Sequence, residues 1–320
     1  MSYDDLMIDV TELSMSAGNS SPQVGVVGLG SMGLGMARSL RTAGYEVGVY
    51  DVRHEAALAF AVEGGTAHET VAKLAAVTDV LISVVVNAAQ TEAVLFGAGD
   101  DGAIDHLAPG SVFVMCSTVD PQWSASLAGT LAERGIHYLD APISGGAVKA
   151  AAGGLTMMTS GSPEAYALAN PFLEAMSEAV YRLGDQAGMG SAIKIVNQLL
   201  AGVHIAAAAE AMAFGMRCGL SADAIYQVIT HSAGNSWMFE NRMAHVLSGD
   251  YTPQSAVDIF VKDLGLVLDA ARPTVFPLPL AAAAHQQFLR ASAAGHGRED
   301  DSAVIKTFPG IDLPARTEEA

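Results

Sequence analysis

Two periodicities divide the chain. Up to about residue 183, short apolar runs alternate with stretches of helical spacing. The runs at 24–27, 47–50, 79–86, 111–116, 136–139, 155–159 and 180–183 read as strands. The run DVLISVVV at 79–86 is almost uniformly apolar, as a parallel strand covered on both faces should be. Ser31 to Ala43 has helical spacing and stops at Gly44, a suitable C-terminal cap. The alternation predicts an α/β Rossmann-type doubly wound domain over residues 22–184.

Beyond Gly190 the strand pattern stops. Ser191 to Cys218 predicts one helix of about 28 residues, roughly 42 Å long, with Gly219 as its cap. Ser221 occupies an N-cap position for the next. Further helices are expected over 236–247, 254–271 and 278–293, with Pro273, Pro277 and Pro279 marking the break before the last. This gives a long interdomain helix and an all-α domain over 185–310, then a tail at 311–320. Residues 1–21 carry Asp4, Asp5, Asp9 and Glu12 and no basic residue, which argues for a flexible extension and against a cationic signal peptide.

Composition narrows the classes. A chain of 320 residues has room for two domains, and 51% hydrophobic against 16% charged residues excludes a disordered chain. A formal charge of −18 opposes binding to nucleic acid or an anionic membrane. The longest apolar stretch, Leu199 to Met216, is interrupted by His204 and Glu210 and reads as a buried helix. Cys116 and Cys218 cannot form a disulfide framework and suit a reducing compartment, so the expected location is cytoplasmic. The nine histidines show no metal-site spacing.

Gly28, Leu29, Gly30, Ser31, Met32 and Gly33 form GxGxxG between a strand and a helix. The glycines permit a tight turn, close approach of a pyrophosphate and helix–strand packing, and the helix N-terminus offers N–H groups to phosphate. Asp51 lies 23 residues after Gly28, at the end of the next strand. Its carboxylate suits a ribose hydroxyl and repels a 2′-phosphate, which favours NAD over NADP, although Arg53 stands close by. A glycine turn without a ligand is the competing reading.

Two further segments carry candidate chemistry. In Asp140-Ala141-Pro142-Ile143-Ser144-Gly145-Gly146, the residues Ser144, Gly145 and Gly146 can form an anion nest for a substrate carboxylate; a plain turn competes with that reading. Lys194 and Asn197 share one face of the long helix. A buried lysine there can act as an acid/base, and moving its pKa from about 10.4 to 7–8 requires roughly 4 kcal/mol. A solvated lysine beside a surface asparagine is the alternative.

Together GLGSMGLGM, DAPISGG, the segment Gly188 to Gln198 and Lys262-Asp263-Leu264-Gly265 resemble the four signatures of the β-hydroxyacid dehydrogenases, over about residues 22–310. That family includes 3-hydroxyisobutyrate dehydrogenase, tartronate semialdehyde reductase and L-threonate dehydrogenase. The resemblance implies an NAD enzyme forming homodimers or homotetramers and acting on a small hydroxy acid. It makes Lys194 the acid/base and Asn197 the residue that positions substrate, with Ser144, Gly145 and Gly146 on the carboxylate. Thr118 then matches a nicotinamide-side contact and Lys262 a cofactor-contacting lysine. Many members carry a proline where this chain has Val86-Asn87-Ala88-Ala89-Gln90.

The segments around His204 to Met212 and Ala233 to Phe239 look most like the L-threonate dehydrogenase branch, which implies oxidation at C2 with Asn235, Ser236, Trp237 and Phe239 lining a pocket. Trp237 and Phe239 as core aromatics are the alternative. Tartronate semialdehyde and 3-hydroxyisobutyrate remain competing substrates, and Asn235 and Ser236 favour a polyol. A phosphosugar acid lacks an Arg/Lys group to receive it, and imine reductases share the architecture without the lysine. A non-catalytic NAD-binding module is the reading of another class.

Overall fold

The computed structural model describes residues 22–97 and 99–316. The extension expected over 1–21 lies outside them. The described residues divide into two compact units, one ending at Lys194 and the other beginning at Ile195. In the first, nine strands join one sheet: β1 (Val24–Val27), β2 (Val47–Tyr50), β3 (Thr66–Ala67), β4 (Val80–Ser83), β5 (Val112–Met115), β6 (His137–Asp140), β7 (Ile143–Ser144), β8 (Leu155–Gly161) and β9 (Ser177–Arg182). Their order is β3-β2-β1-β4-β5-β6-β8-β7, with β9 beside β8. Pairing is parallel from β3 to β6; β8 then runs antiparallel to β6 and β7 and parallel to β9.

Helices α1 (Gly33–Thr42), α2 (His54–Val62), α3 (Val71–Ala75), α4 (Ala88–Phe96), α5 (Pro121–Ala132), α6 (Gly146–Ala151) and α7 (Pro163–Met176) cover both faces. Side chains alternate along each strand. Val80 and Ile82 of β4 therefore enter one core with Met36, Leu40 and Phe60, while Leu81 enters the other with Leu74, Leu95, Leu127 and Leu131. Both faces of β4 are thus buried, as its unbroken apolar sequence requires. The strand ends at Ser83, three residues short of the run, because the chain leaves the sheet at Val84 to wall the β1–α1 turn: a Cβ on Gly28 would sit 2.5 Å from the Val84 carbonyl oxygen.

The long helix α8 (Met189–Arg217) has 29 residues, about 43 Å. Gly219, with φ +88°, follows its end. Among the described residues it alone is long and apolar enough to cross a bilayer. Ala201, Ile205, Ala209 and Met212 instead bury it in the core of the second unit, against Phe260, Leu264 and Phe288. That unit adds α9 (Ala222–Thr230), α10 (Trp237–Ser248), α11 (Val257–Ala271) and α12 (Pro279–Ala291). The helix expected from 254 begins at Val257, because Ala256 pairs as an isolated β-bridge with Asp300 and Asp301 N–H donates to the Ser255 carbonyl.

The 3-10 turn Asp301–Thr307 closes this unit through a buried ion pair: Arg242 Nε donates to Asp301 Oδ1 at 2.6 Å and Nη2 to Oδ2 at 3.2 Å. Truncating the arginine strands a buried carboxylate. Arg242→Ala is expected to cost about 3–5 kcal/mol, measured by urea denaturation followed by tryptophan fluorescence. A loss under about 1 kcal/mol would show that the pair does not hold the turn.

Candidate active site

The β1–α1 turn lies where β1 is flanked by β2 and β4, the point at which the strand order reverses. Gly28 has φ +93°, and its N–H donates to the Tyr50 carbonyl at 2.9 Å. A Cβ on Gly33 would lie 1.9 Å from the Gly28 carbonyl oxygen, so this glycine is the condition for helix and strand to meet. A Cβ on Gly30 would meet nothing within 4 Å. No side chain caps α1, and its first turn has no acid. An open glycine beside an uncapped helix N-terminus fits a pyrophosphate.

Asp51 stands just past β2 and joins this turn. Its Oδ2 accepts the Leu29 N–H at 2.6 Å; its Oδ1 accepts the Arg53 N–H at 2.8 Å and Arg53 Nε at 3.3 Å. Burial alone would raise its carboxyl. The bonds from Arg53 and Leu29, with the Arg53 guanidinium, outweigh burial and hold it below the ordinary carboxylate range. The turn therefore combines phosphate donors with a fixed negative charge, the donor set that suits the pyrophosphate and ribose of NAD. Arg53, which also donates to the Leu29 carbonyl at 3.3 Å, is tied to the acid.

A second acid organises the start of α8. Asp140, at the end of β6, is fully buried. Its Oδ2 accepts from Gly188 N–H at 3.0 Å, Ser191 N–H at 2.8 Å and Ser160 Oγ at 3.4 Å, and its Oδ1 from Ser191 Oγ at 2.7 Å. Burial pushes the carboxyl up and the Ser191 and Gly188 bonds pull it back, leaving it raised. The close approach needs Gly190, where a Cβ would meet the Met158 carbonyl oxygen at 2.5 Å. Lys194 follows one turn on and is only 7% exposed, so the solvated alternative fails.

Ser144 ends the short β7, paired with Thr156. Gly145 (φ +136°) and Gly146 (φ +77°) then occupy the left-handed region at the start of α6. Thr118 is half-buried beyond β5. Asn197 is half-buried on α8 and its Nδ2 donates to Gln198 Oε1 at 2.9 Å. On α11, Lys262 Nζ lies 2.7 Å from Asp263 Oδ1. Asn87 caps α4 by accepting the Gln90 N–H at 2.9 Å. Ser236 caps α10 through the Phe239 N–H at 3.0 Å, and Asn235 Nδ2 donates to the Thr230 carbonyl at 3.2 Å. The two aromatics differ: Phe239 is core, Trp237 is 59% exposed, and His204 is half-buried.

Two residues escaped the sequence reading. Gln198 is buried at i+4 from Lys194, on the same helix face, a spacing that could have revealed it. Asp140 stood in a quoted motif with no assigned task. An acid ending an apolar strand was the available signal.

The fold and this turn define an NAD-binding dehydrogenase. Residues 23–184 match the model of the NAD binding domain of 6-phosphogluconate dehydrogenase. Residues 188–308 match the model described as NAD-binding of NADP-dependent 3-hydroxyisobutyrate dehydrogenase. The L-threonate dehydrogenase of Cupriavidus necator is 60% identical over 93% of this chain and 100% of its own length. That of Escherichia coli is 52% identical over 91% and 96%. The crystal structure of a 3-hydroxyisobutyrate dehydrogenase from Salmonella typhimurium matches with a TM-score of 0.85 at 53% identity, covering 89% of this chain and 99% of that one. The chain belongs to the β-hydroxyacid dehydrogenases, the family of 3-hydroxyisobutyrate dehydrogenase.

The second and third glycines of the motif, Gly30 and Gly33, separate binding from folding. Gly30→Ala is expected to keep the melting temperature and weaken NAD binding at least about tenfold, read by fluorescence titration. Gly33→Ala should lower the melting temperature itself. Equal NAD affinity in Gly30→Ala and wild type would remove the pyrophosphate from this turn. Replacing Asp51 tests the ribose end. Asp51→Ser frees Arg53 and removes the repulsion, so the ratio of kcat/KM for NAD over NADP should narrow; an unaltered ratio would mean that Asp51 does not reach the ribose.

Proposed function

We propose that this chain oxidises L-threonate at C2 to 2-dehydro-L-erythronate, its 2-keto acid, with NAD. The observation that carries the reading is the 60% identity to an L-threonate dehydrogenase over the full length of that enzyme, joined to a lysine withdrawn from bulk water one turn into α8. Bound NAD supplies the acceptor for the hydride. Lys194 Nζ takes the proton of the C2 hydroxyl as the C2–H bond breaks with its electron pair, leaving a C2 carbonyl. Ser144 and the Gly145 and Gly146 N–H groups hold the substrate carboxylate, and Asn197 holds the reacting oxygen in line. Asn235 and Ser236 contribute to the polyol side of the pocket, and Thr118 and Lys262 contact the cofactor. In this reading Gly28 to Gly33 cradle the pyrophosphate and Asp51 the ribose.

A second substrate, 3-hydroxyisobutyrate, is favoured by the Salmonella structure described above. It has an apolar branch where L-threonate has hydroxyls. We also infer a cytoplasmic homo-oligomer. Cys116 is buried and Cys218 exposed, both as free thiols. Val196, Leu200 and Phe214 leave α8 with an exposed apolar stripe at helical spacing that a second copy would cover.

The test is NADH absorbance, its rise with NAD and L-threonate or 3-hydroxyisobutyrate and its fall with NADH and tartronate semialdehyde, using wild type and Lys194→Ala. Wild type should turn over L-threonate with the highest kcat/KM. The variant should lose at least about 10³-fold in kcat with little change in NAD affinity. A nearly normal kcat in Lys194→Ala overturns the acid/base role. No turnover of any hydroxy acid by the wild type would leave an NAD-binding module.

A further inference from the structure

What Asn197 can offer a substrate is fixed from behind. Its Nδ2 donates to Gln198 Oε1 at 2.9 Å, and Gln198 Nε2 donates in turn to Asp263 Oδ2 at 2.5 Å. Lys262 Nζ lies 2.7 Å from the other oxygen of Asp263. Gln198 is 7% exposed and Asp263 1%, so bulk water does not stand in for these partners. The shape of an amide alone does not say which end is oxygen. The carboxylate does, because an ionised acid accepts and never donates. Gln198 must turn its NH₂ to Asp263, which leaves its oxygen toward Asn197. Asn197 must then turn its NH₂ to Gln198. The groups left on Asn197 are its carbonyl oxygen and one N–H.

We propose that Gln198 is a positioning residue: with Asp263 it sets the polarity of the Asn197 amide, so that Asn197 recognises two neighbouring substrate oxygens and selects a vicinal diol acid. The inference rests on the reading above, in which Asn197 touches substrate and Lys194 takes the proton. The reacting oxygen accepts a hydrogen bond as alcohol or as ketone, so the remaining N–H serves it throughout. The Asn197 carbonyl oxygen needs an O–H. The reacting hydroxyl gives its proton to Lys194, so that O–H comes from the adjacent carbon. A methylene or methyl group there leaves the oxygen unpaired, and sites built to bind a hydroxyl reject the analogue lacking it strongly.

The experiment compares kcat/KM for L-threonate and for its 3-deoxy analogue, with melting temperature and NAD affinity measured alongside. Wild type should prefer L-threonate by at least about a hundredfold. Gln198→Met keeps the length of the side chain and removes both bonds, so the preference should fall at least about tenfold. Asp263→Asn removes the charge that sets direction and should lower the preference likewise. In the double variant Gln198→Glu with Asp263→Asn, the introduced carboxylate accepts from both neighbours, Asn197 is turned as before, and the preference should return to within about threefold of wild type. A preference unchanged in Gln198→Met, or a loss that the double variant does not rescue, overturns the relay. Turnover of L-threonate with no preference over the 3-deoxy compound also overturns it and leaves the proposed activity standing. Absence of L-threonate turnover in the wild type overturns both.

Discussion

The carboxylate of Asp140, sealed at the end of β6, receives the free N–H groups at the start of α8. A charge withdrawn from water is costly unless donors converge on it. Here Gly188 and Ser191 supply backbone donors while Ser191 and Ser160 supply hydroxyls. The negative group also sits at the positive end of a 29-residue helix, where the dipole favours it. Sheet and helix are thereby locked at one point, and Lys194 inherits its position from that lock. Everything proposed for the lysine depends on this anchor. Burial, reinforced by the same charge, pushes the nearby Cys116 thiol up to about 12, which leaves that cysteine chemically quiet.

Asp51 uses related physics at the end of β2. It too gathers backbone N–H groups, from Leu29 and Arg53, but it keeps an arginine beside it and its carboxyl stays low. One acid holds a helix start inside the protein, and the other puts a charge at the mouth of the β1–α1 turn. Their surroundings differ more than their sequence contexts do. Asp140 has no cationic partner among its bonds and is raised by burial, whereas Asp51 is offset by Arg53. In the second unit Asp263 adds a third arrangement, a buried acid that gives direction to two amides in series. Charged groups recur at these joints because a carboxylate fixes the orientation of its neighbours more firmly than a neutral group can.

Strands with four consecutive apolar or small residues were legible from that run alone, whether buried at every position, as in β1, or at alternate ones, as in β2. β1 and β2 match the expected bounds residue for residue. The two-residue strands β3 and β7 were invisible, since two residues carry no periodicity. The helix ends moved by one to three residues where caps and bridges intervened, as at Ala256. The glycine turn was legible because its need for small residues is written in the residue type. A Cβ would collide with backbone at Gly28 and at Gly33.

The amino-acid sequence by itself determined the change from alternating strands and helices to helices alone, the GxGxxG turn with its following acid, and a lysine on a long apolar helix. These are local properties of spacing and residue type. Tertiary structure alone decided the antiparallel turn of β8 against β6, the capture of α8 by Asp140, and the chain of bonds from Asn197 through Gln198 to Asp263. Asp140 meets Ser191 across 51 positions and Gln198 meets Asp263 across 65. No local pattern encodes such meetings, because they arise only when packing removes water and leaves the buried polar groups one another as partners.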